Sequence, residues 1–185
     1  METEQLAHDL IARYVRYGYR FAEIERIVDQ DVFEGEAPRK RLRGWIKAAV
    51  ALQRAEQESW PAVTDCDRLD QAFDALRAGR ILAIHDAGYT PSECIAEMSE
   101  QYRAGGGESS GVVGYCCYHR QDMDYALLCD KLGVAYVDIK GDDRQGAEVG
   151  RQVCAALAAS GLRVAWSGSI KDKINVTDFR WQRRV

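Results

Sequence analysis

The sequence predicts an α/β protein with a mixed central sheet of about five strands, flanked by helices and preceded by an N-terminal helical segment. Beyond residue 60, short apolar runs alternate with amphipathic helical stretches, as in layered α/β structures. The last two apolar runs lie only about six residues apart, which indicates an antiparallel hairpin. An α+β arrangement stays open. We expect residues 1–60 to form the helical segment and residues 61–185 to form the α/β domain.

Three helices are predicted in the N-terminal segment. Apolar side chains recur every four residues from Leu6 to Tyr14, and Gly18 marks the end of this first helix. The second helix is "FAEIERIVDQDVF". The third begins at about Pro38, a residue favoured in the first helical turn, and runs towards Trp60.

The α/β domain is predicted to begin with a helix, a strand and a second helix. Thr64 or Asp65 can cap the first helix, which ends near Gly79, and "ILAIHDAG" is the strand. The second helix has a capping box, in which Thr90 is the N-cap and Glu93 follows three residues later.

Predicted strands and helices continue to alternate up to the C-terminal hairpin. "RAGGGESSG" is a loop, "VVGYCCYH" a strand, "MDYALLCDK" a helix and "LGVAYVDIK" a further strand. "DDRQGAEVGRQVCAALAASG" is a helix, and "LRVAWSGS" and "KINVTDFRW" are the two strands of the hairpin.

Charge is distributed unevenly, although the net charge is only −4. Residues 61–150 hold 8 basic and 16 acidic side chains, whereas residues 151–185 hold 7 basic and 2 acidic ones. The acidic middle segment either attracts the basic tail within the fold or faces a basic protein partner. No apolar stretch approaches the length of a membrane span, and the N-terminus lacks the pattern of a signal peptide, so we expect a cytoplasmic protein.

Six cysteines are present, and no two have the CxxC spacing of metal or redox motifs. We therefore expect most of them to be small buried apolar residues. Strand alternation places Cys116 and Cys117 on opposite faces, so they cannot bind one metal together.

A polar group follows the strand "VVGYCCYH", where His119, Gln121 and Asp122 open the next helix. Ligands bind at this edge of open α/β sheets, and an imidazole beside a carboxylate can act as a general base. These three residues are the candidate catalytic residues. Asp122 has a structural alternative as the helix N-cap.

A metal site is a further possibility at the strand ends. If the first three strands are adjacent and parallel, then His85, His119 and Asp138 gather at one edge, as two imidazoles and one carboxylate. The sequence itself names no cofactor.

Two other functional classes find little support. There is no GxSxG nucleophile elbow and no P-loop, which argues against the corresponding hydrolases and nucleotide-binding enzymes. The basic third helix allows nucleic-acid binding, but residues 1–60 sum to −1, so we expect nucleic acid not to be the partner.

Three blocks of sequence resemble a bacterial family of uncharacterised proteins, domain-of-unknown-function family 6891. They are "WPAVTDCDRLDQAFDAL", "GYCCYHRQDMDYAL" and "AEVGRQVCAALAASGLRVAWSGSIKDKINVTDFRWQRR". The motifs that carry the resemblance are H-x-Q-D at His119 and W-x-R-R at Trp181, and they lie within roughly residues 60–184. The resemblance implies the fold boundaries given above and no established activity.

The leading hypothesis is a cytoplasmic protein-binding or regulatory module, such as a toxin antidote, which uses the acidic middle segment. The alternative is an enzyme or a metal or small-molecule binder at His119, with Arg183, Arg184 and Trp181 as candidate ligand-binding residues. The oligomeric state is left open.

Overall fold

A computed structural model describes residues 2–185 and divides the chain into two compact units. The first unit runs to Thr64 and also includes Gln182–Val185, and the second unit is Asp65–Trp181. We call them the helical unit and the α/β unit. The boundary expected between residues 60 and 61 differs from this division by four residues, and the sequence-based division did not separate the last four residues.

The helical unit contains three helices: α1 (Glu2–Tyr17), α2 (Phe21–Phe33) and α3 (Arg39–Gln57). Its core is formed by the apolar stripes of these helices, including Ile11, Ile24 and Ile46. Gly18 ends α1 with a φ of +90°, and a Cβ there would lie 2.0 Å from Cγ of Arg183. Glycine is therefore required both by the backbone conformation and by the packing of this arginine.

The α/β unit contains four helices and five strands within the described residues. In chain order they are α4 (Asp65–Ala78), β1 (Ile81–Ile84), α5 (Pro91–Ala104), β2 (Gly114–Cys117), α6 (Arg120–Cys129), β3 (Lys131–Asp138), α7 (Asp143–Ala159), β4 (Arg163–Ala165) and β5 (Ile174–Thr177). The predicted α/β class with a five-stranded mixed sheet is confirmed. The predicted glycine-rich loop contains one short 3-10 helix, Gly107–Ser110.

The strand order is β1-β2-β3-β5-β4. Strands β1 and β2 are parallel, whereas β3 is antiparallel to both β2 and β5, and β4 and β5 form the expected antiparallel pair. The first half of β3 pairs with β5 and its second half pairs with β2. The assumption that the first three strands are all parallel is therefore wrong for β3.

Helices cover both faces of the sheet. Helices α4 and α7 pack on the face that carries Cys116 and Tyr118, where Phe73 of α4 contacts Tyr118 and Val149 of α7 lies against Gly114. Helix α5 packs on the opposite face, which carries Cys117. Each face of the sheet thus has its own apolar layer. None of the helices in residues 2–185 is long and apolar enough to cross a membrane.

Candidate functional site

The candidate site lies where β2 ends and α6 begins. His119 is the N-cap of α6 and has an extended backbone, and Asp122 is the third residue of the helix. The carboxylate of Asp122 accepts a hydrogen bond from the backbone N–H of His119 at 3.2 Å. Asp122 therefore supports the start of the helix from within, and the expectation that Asp122 is itself the N-cap is wrong.

Lys173, which directly precedes β5, completes a polar cluster with these two residues. Its ammonium donates hydrogen bonds to both carboxylate oxygens of Asp122, at 2.7 and 2.9 Å, and lies 3.1 Å from Nε2 of His119. The same Nε2 atom is 3.2 Å from Oδ2 of Asp122. We call His119, Asp122 and Lys173 the His119 cluster.

Sequence reasoning did not identify Lys173. Alternation along β5 places Lys173 and Asn175 on one face, but only the strand order brings that face beside α6. Gly133 of β3 provides the necessary space, because a Cβ there would lie 3.0 Å from Oδ1 of Asp122 and 3.2 Å from Cδ of Lys173.

Burial determines the protonation of His119, whose side chain is almost fully enclosed with only 4% of the residue exposed. Burial lowers the pKa of His119, Asp122 opposes this shift, and the charge of Lys173 adds to it. The imidazole is therefore neutral at neutral pH. Its Nδ1 atom is buried and has no hydrogen-bond partner among the described residues. An unsatisfied buried nitrogen costs about 1–3 kcal/mol.

A cavity of about 350 Å³ lies between α5 and the sheet, and His119 and Lys173 are part of its wall. The rest of the wall is mainly apolar and is formed by side chains of α5 and of strands β2 and β3, such as Ile95, Met98 and Tyr115. Small-molecule sites typically combine an apolar wall with a few polar groups in this way.

Cys94 and Cys117 form a disulfide bond, and both line the same cavity. The expectation that most cysteines are buried holds for both residues, but the sequence did not indicate the bond between them. Their separation of 23 residues gives no motif, and the bond forms because α5 crosses the sheet face on which Cys117 lies. The helical stripe of Cys94 and Met98 was the available signal that Cys94 faces inwards.

Cys116 behaves differently from its neighbour. It is a free buried thiol, and burial raises its pKa to about 12. Because it points to the other face of the sheet, the predicted separation of Cys116 and Cys117 is confirmed.

His85 and Asp138, the other two candidate metal ligands, do not join His119. His85 stacks on Phe73, on the face opposite the cavity, and its Nδ1 atom is 3.0 Å from the hydroxyl of Tyr118. Asp138 pairs with Gly114 at the far end of β2, because β3 runs antiparallel. Residues 2–185 contain no group of three or more metal-ligating side chains.

Asp138 has a structural role. Its Oδ2 atom accepts hydrogen bonds from the backbone N–H groups of Lys140 and Asp142, at 2.8 and 3.1 Å. These bonds order the turn that leads into α7.

The remaining candidates lie outside the cavity wall. Gln121 is exposed on the first turn of α6. Trp181 is buried in the α/β unit, where its ring contacts Tyr118 and Phe179 edge to face. Arg183 and Arg184 belong to the helical unit, and Arg184 donates a hydrogen bond to the carbonyl oxygen of Pro61 at 2.6 Å.

Three of the basic residues of α3 are engaged in ion pairs within the helical unit. These pairs are Arg39 with Asp29, Arg41 with Glu4, and Arg43 with Glu25, at 2.6–2.7 Å. An open groove of about 800 Å³ also lies in this unit, and it is lined partly by exposed basic side chains. None of the described residues that line this groove is buried, in contrast to His119.

Comparison with known proteins gives one result. The family model described as "Domain of unknown function (DUF6891)" matches residues 1–185, so the likeness extends beyond residues 60–184 to the N-terminal helices. No curated protein and no solved structure matches the chain. The chain, over its whole length, therefore belongs to the DUF6891 family.

Proposed function

We propose that the α/β unit binds a small organic molecule in the cavity between α5 and the sheet. The observation that carries this proposal is the buried Nδ1 atom of His119, which lacks a partner while the imidazole lines the cavity. If the imidazole turns slightly towards the cavity, one hydrogen-bonding group of a bound molecule would satisfy this nitrogen and remove the cost of leaving it unpaired.

The cavity also restricts the chemistry of its ligand. Lys173 is neutralised by Asp122 at 2.7 Å, and His119 is itself neutral, so the polar cluster has no net charge. Ile95, Met98 and other wall residues offer apolar contact to the remainder of the molecule. We therefore infer a compact, largely apolar ligand that carries a neutral polar group.

The same arrangement could support proton transfer. If Nε2 carries the proton and donates to Asp122, then Nδ1 has a free lone pair and can act as a general base. Asp122 would orient the imidazole, and Lys173 would hold Asp122 in place. Catalysis by His119 is thus an extension of the binding proposal.

A fragment-binding experiment tests the proposal. Phenol, indole and benzamide would be titrated into the protein, and binding would be followed by NMR through the methyl group of Met98 and the ring of His119. The Ile95→Trp variant should block the cavity, since Ile95 is part of its wall. Because Ile95 is largely exposed, the larger ring should fit there without disturbing the core. Leu128→Trp is the matched control, because Leu128 lies on α6 outside the cavity wall.

We expect at least one fragment to shift both signals in the wild type and in Leu128→Trp, and none to do so in Ile95→Trp. If no fragment perturbs His119 or Met98 in the wild type, the proposal is contradicted. The same applies if binding is equal in the two tryptophan variants.

Protein binding through the acidic middle segment is a second candidate. The observation in its favour is an exposed apolar pair on α6, where Tyr125 is 49% and Leu128 83% exposed. Asp124 and Asp130 lie beside this pair in the sequence, so the surface suits a partner with apolar and basic residues. A regulatory or antidote role would depend on such a surface.

Affinity capture at physiological salt tests this candidate. The wild type should retain a specific partner, and Leu128→Asp should lose it, because a carboxylate replaces the central apolar contact. Equal recovery with both proteins would argue against this surface.

A further inference from the structure

We infer that the Cys94–Cys117 disulfide is an exchangeable bond and that the cavity admits a low-molecular-weight thiol as its reaction partner. This inference rests on the proposed function, since it assigns a chemical class to the molecule that enters the cavity.

Cys94 and Cys117 both line the cavity, Cys94 from α5 and Cys117 from the sheet, and their bonded sulfurs join these two elements. Cys94 is the fourth residue of α5, whose first helical residue is Pro91, so it ends the first turn. Cys117 is the last residue of β2. The positive end of the α5 dipole favours thiolate at Cys94 after the bond is reduced.

The two cysteine residues differ in exposure. Cys94 is 3% exposed, whereas Cys117 is completely enclosed. A thiol in the cavity therefore reaches Cys94 first, and Cys117 becomes the leaving group. Exchange is faster when the leaving thiolate is stabilised. Lys173 lies in the same cavity wall as Cys117, but Asp122 balances its charge, so access to Cys94 and not charge decides which sulfur leaves.

His119 can activate the incoming thiol. Once the neutral imidazole has turned towards the cavity, it takes the thiol proton at Nδ1, and the thiolate then attacks Sγ of Cys94. The bond between the two protein sulfurs breaks, and its electron pair leaves on Sγ of Cys117, which recovers the proton from His119. A second thiol attacks the mixed disulfide in the same way. The products are a small-molecule disulfide and a protein dithiol, so two thiols are oxidised while one protein disulfide is reduced.

The experiment uses 2-mercaptoethanol as the probe and the full chain with Cys129→Ser, because Cys129 is an exposed free thiol. Protein purified without reductant is mixed with the probe, quenched in acid and analysed by intact mass and peptide mapping. We expect one equivalent of probe attached to Cys94, followed by conversion to the dithiol. Ile95→Trp should slow this exchange about tenfold or more, while Leu128→Trp should react like the parent.

A pH profile separates proton transfer by His119 from a purely structural role. With His119 as the base, the rate should be nearly constant between about pH 7 and 8, since the imidazole is already neutral there. In His119→Gln the rate should instead rise about tenfold per pH unit, as the fraction of free thiolate does. Circular dichroism establishes that the variant is folded, and Ile95→Trp provides an independent test if it is not.

Three results would overturn the inference: free thiols at both positions in the purified protein, attachment that occurs only at the rate of unfolding, or equal rates in the two tryptophan variants. If fragments still bind the cavity while exchange is absent, only the inference fails. If neither fragments nor thiols respond to Ile95→Trp, the proposed function fails with it.

Discussion

Reduction of the Cys94–Cys117 bond should destabilise the α/β unit by about 3 kcal/mol. The two cysteines are 23 residues apart, and closing a loop of that length removes conformational entropy from the unfolded chain. The entropy model gives about 3 kcal/mol for 15 residues and about 4.7 kcal/mol for 100 residues, so a value of about 3.4 kcal/mol is expected here. The reduced chain should keep the native fold, because both sulfurs remain within an apolar layer.

Native-state hydrogen exchange is the suitable assay, because the chain has two units and a single unfolding midpoint would mix them. The amides of Tyr115 and Cys116 report on β2, which is paired on both sides. Their opening free energy would be measured with and without dithiothreitol. A Cys94→Ala, Cys117→Ala variant, in which reductant can have no effect at this site, is the control.

This prediction is contradicted if reductant changes the opening free energy of these β2 amides by less than about 1 kcal/mol in the wild type. It is also refuted if the double alanine variant responds to reductant as strongly as the wild type. In either case the bond would contribute little to the stability of the unit.

Three further predictions concern the His119 cluster. The folded state holds a neutral imidazole, so the unfolded state binds a proton first as the pH falls. The free energy of unfolding should therefore fall as the pH drops below about 6.5 and stay level above that pH. His119→Gln should weaken this dependence in urea titrations between pH 5 and 7.5. Lys173→Met should raise the pKa of His119 in an NMR titration, since the lysine charge lowers this pKa while Asp122 raises it. The same variant should lower the free energy of unfolding in urea by about 2 kcal/mol, because the largely buried carboxylate of Asp122 loses its cation. Gly133→Ala should cost about 1–2 kcal/mol in the same assay, because its Cβ would press on Asp122; Gly44→Ala, where a Cβ meets nothing within 4 Å, should have no such cost.

Local sequence patterns were sufficient to predict where the helices and strands lie. The capping box of Thr90 and Glu93 begins α5 as expected, and the hydroxyl of Thr90 accepts the N–H of Glu93 at 3.3 Å. Helix α7 likewise begins after Asp142, whose side chain caps it. These features depend on residues three or four positions apart, which are visible in any single sequence.

The direction of β3 was not predictable in the same way. Alternation of strand and helix suggests a parallel crossover, but the ten residues of α6 extend only about 15 Å and return the chain antiparallel to β2. This reversal carries Asp138 away from His119. The candidate metal site depended on the direction of one strand rather than on any local signal.

For a related reason, the sequence did not show which residues form the cavity wall. His119 and Asp122 are close in sequence and were found together, whereas Lys173 reaches them across 51 residues and Cys94 reaches Cys117 across 23. Both long-range pairs depend on which strands are neighbours and on which face each helix covers. One sequence contains the residue types for the cavity but not the strand order that assembles them.

The divided pairing of β3 has a consequence for synthesis on the ribosome. Residues 135–138 can join β2 as soon as they emerge, but residues 131–134 must wait for their partners in β5, which lie at least forty residues later in the chain. Until then this half of β3 is an open edge to which another nascent chain could add a strand. Lys131 and Gly133 occupy that edge, and a charge and a glycine both discourage such pairing. The glycine that makes room for the His119 cluster would thereby also protect the unfinished protein from aggregation.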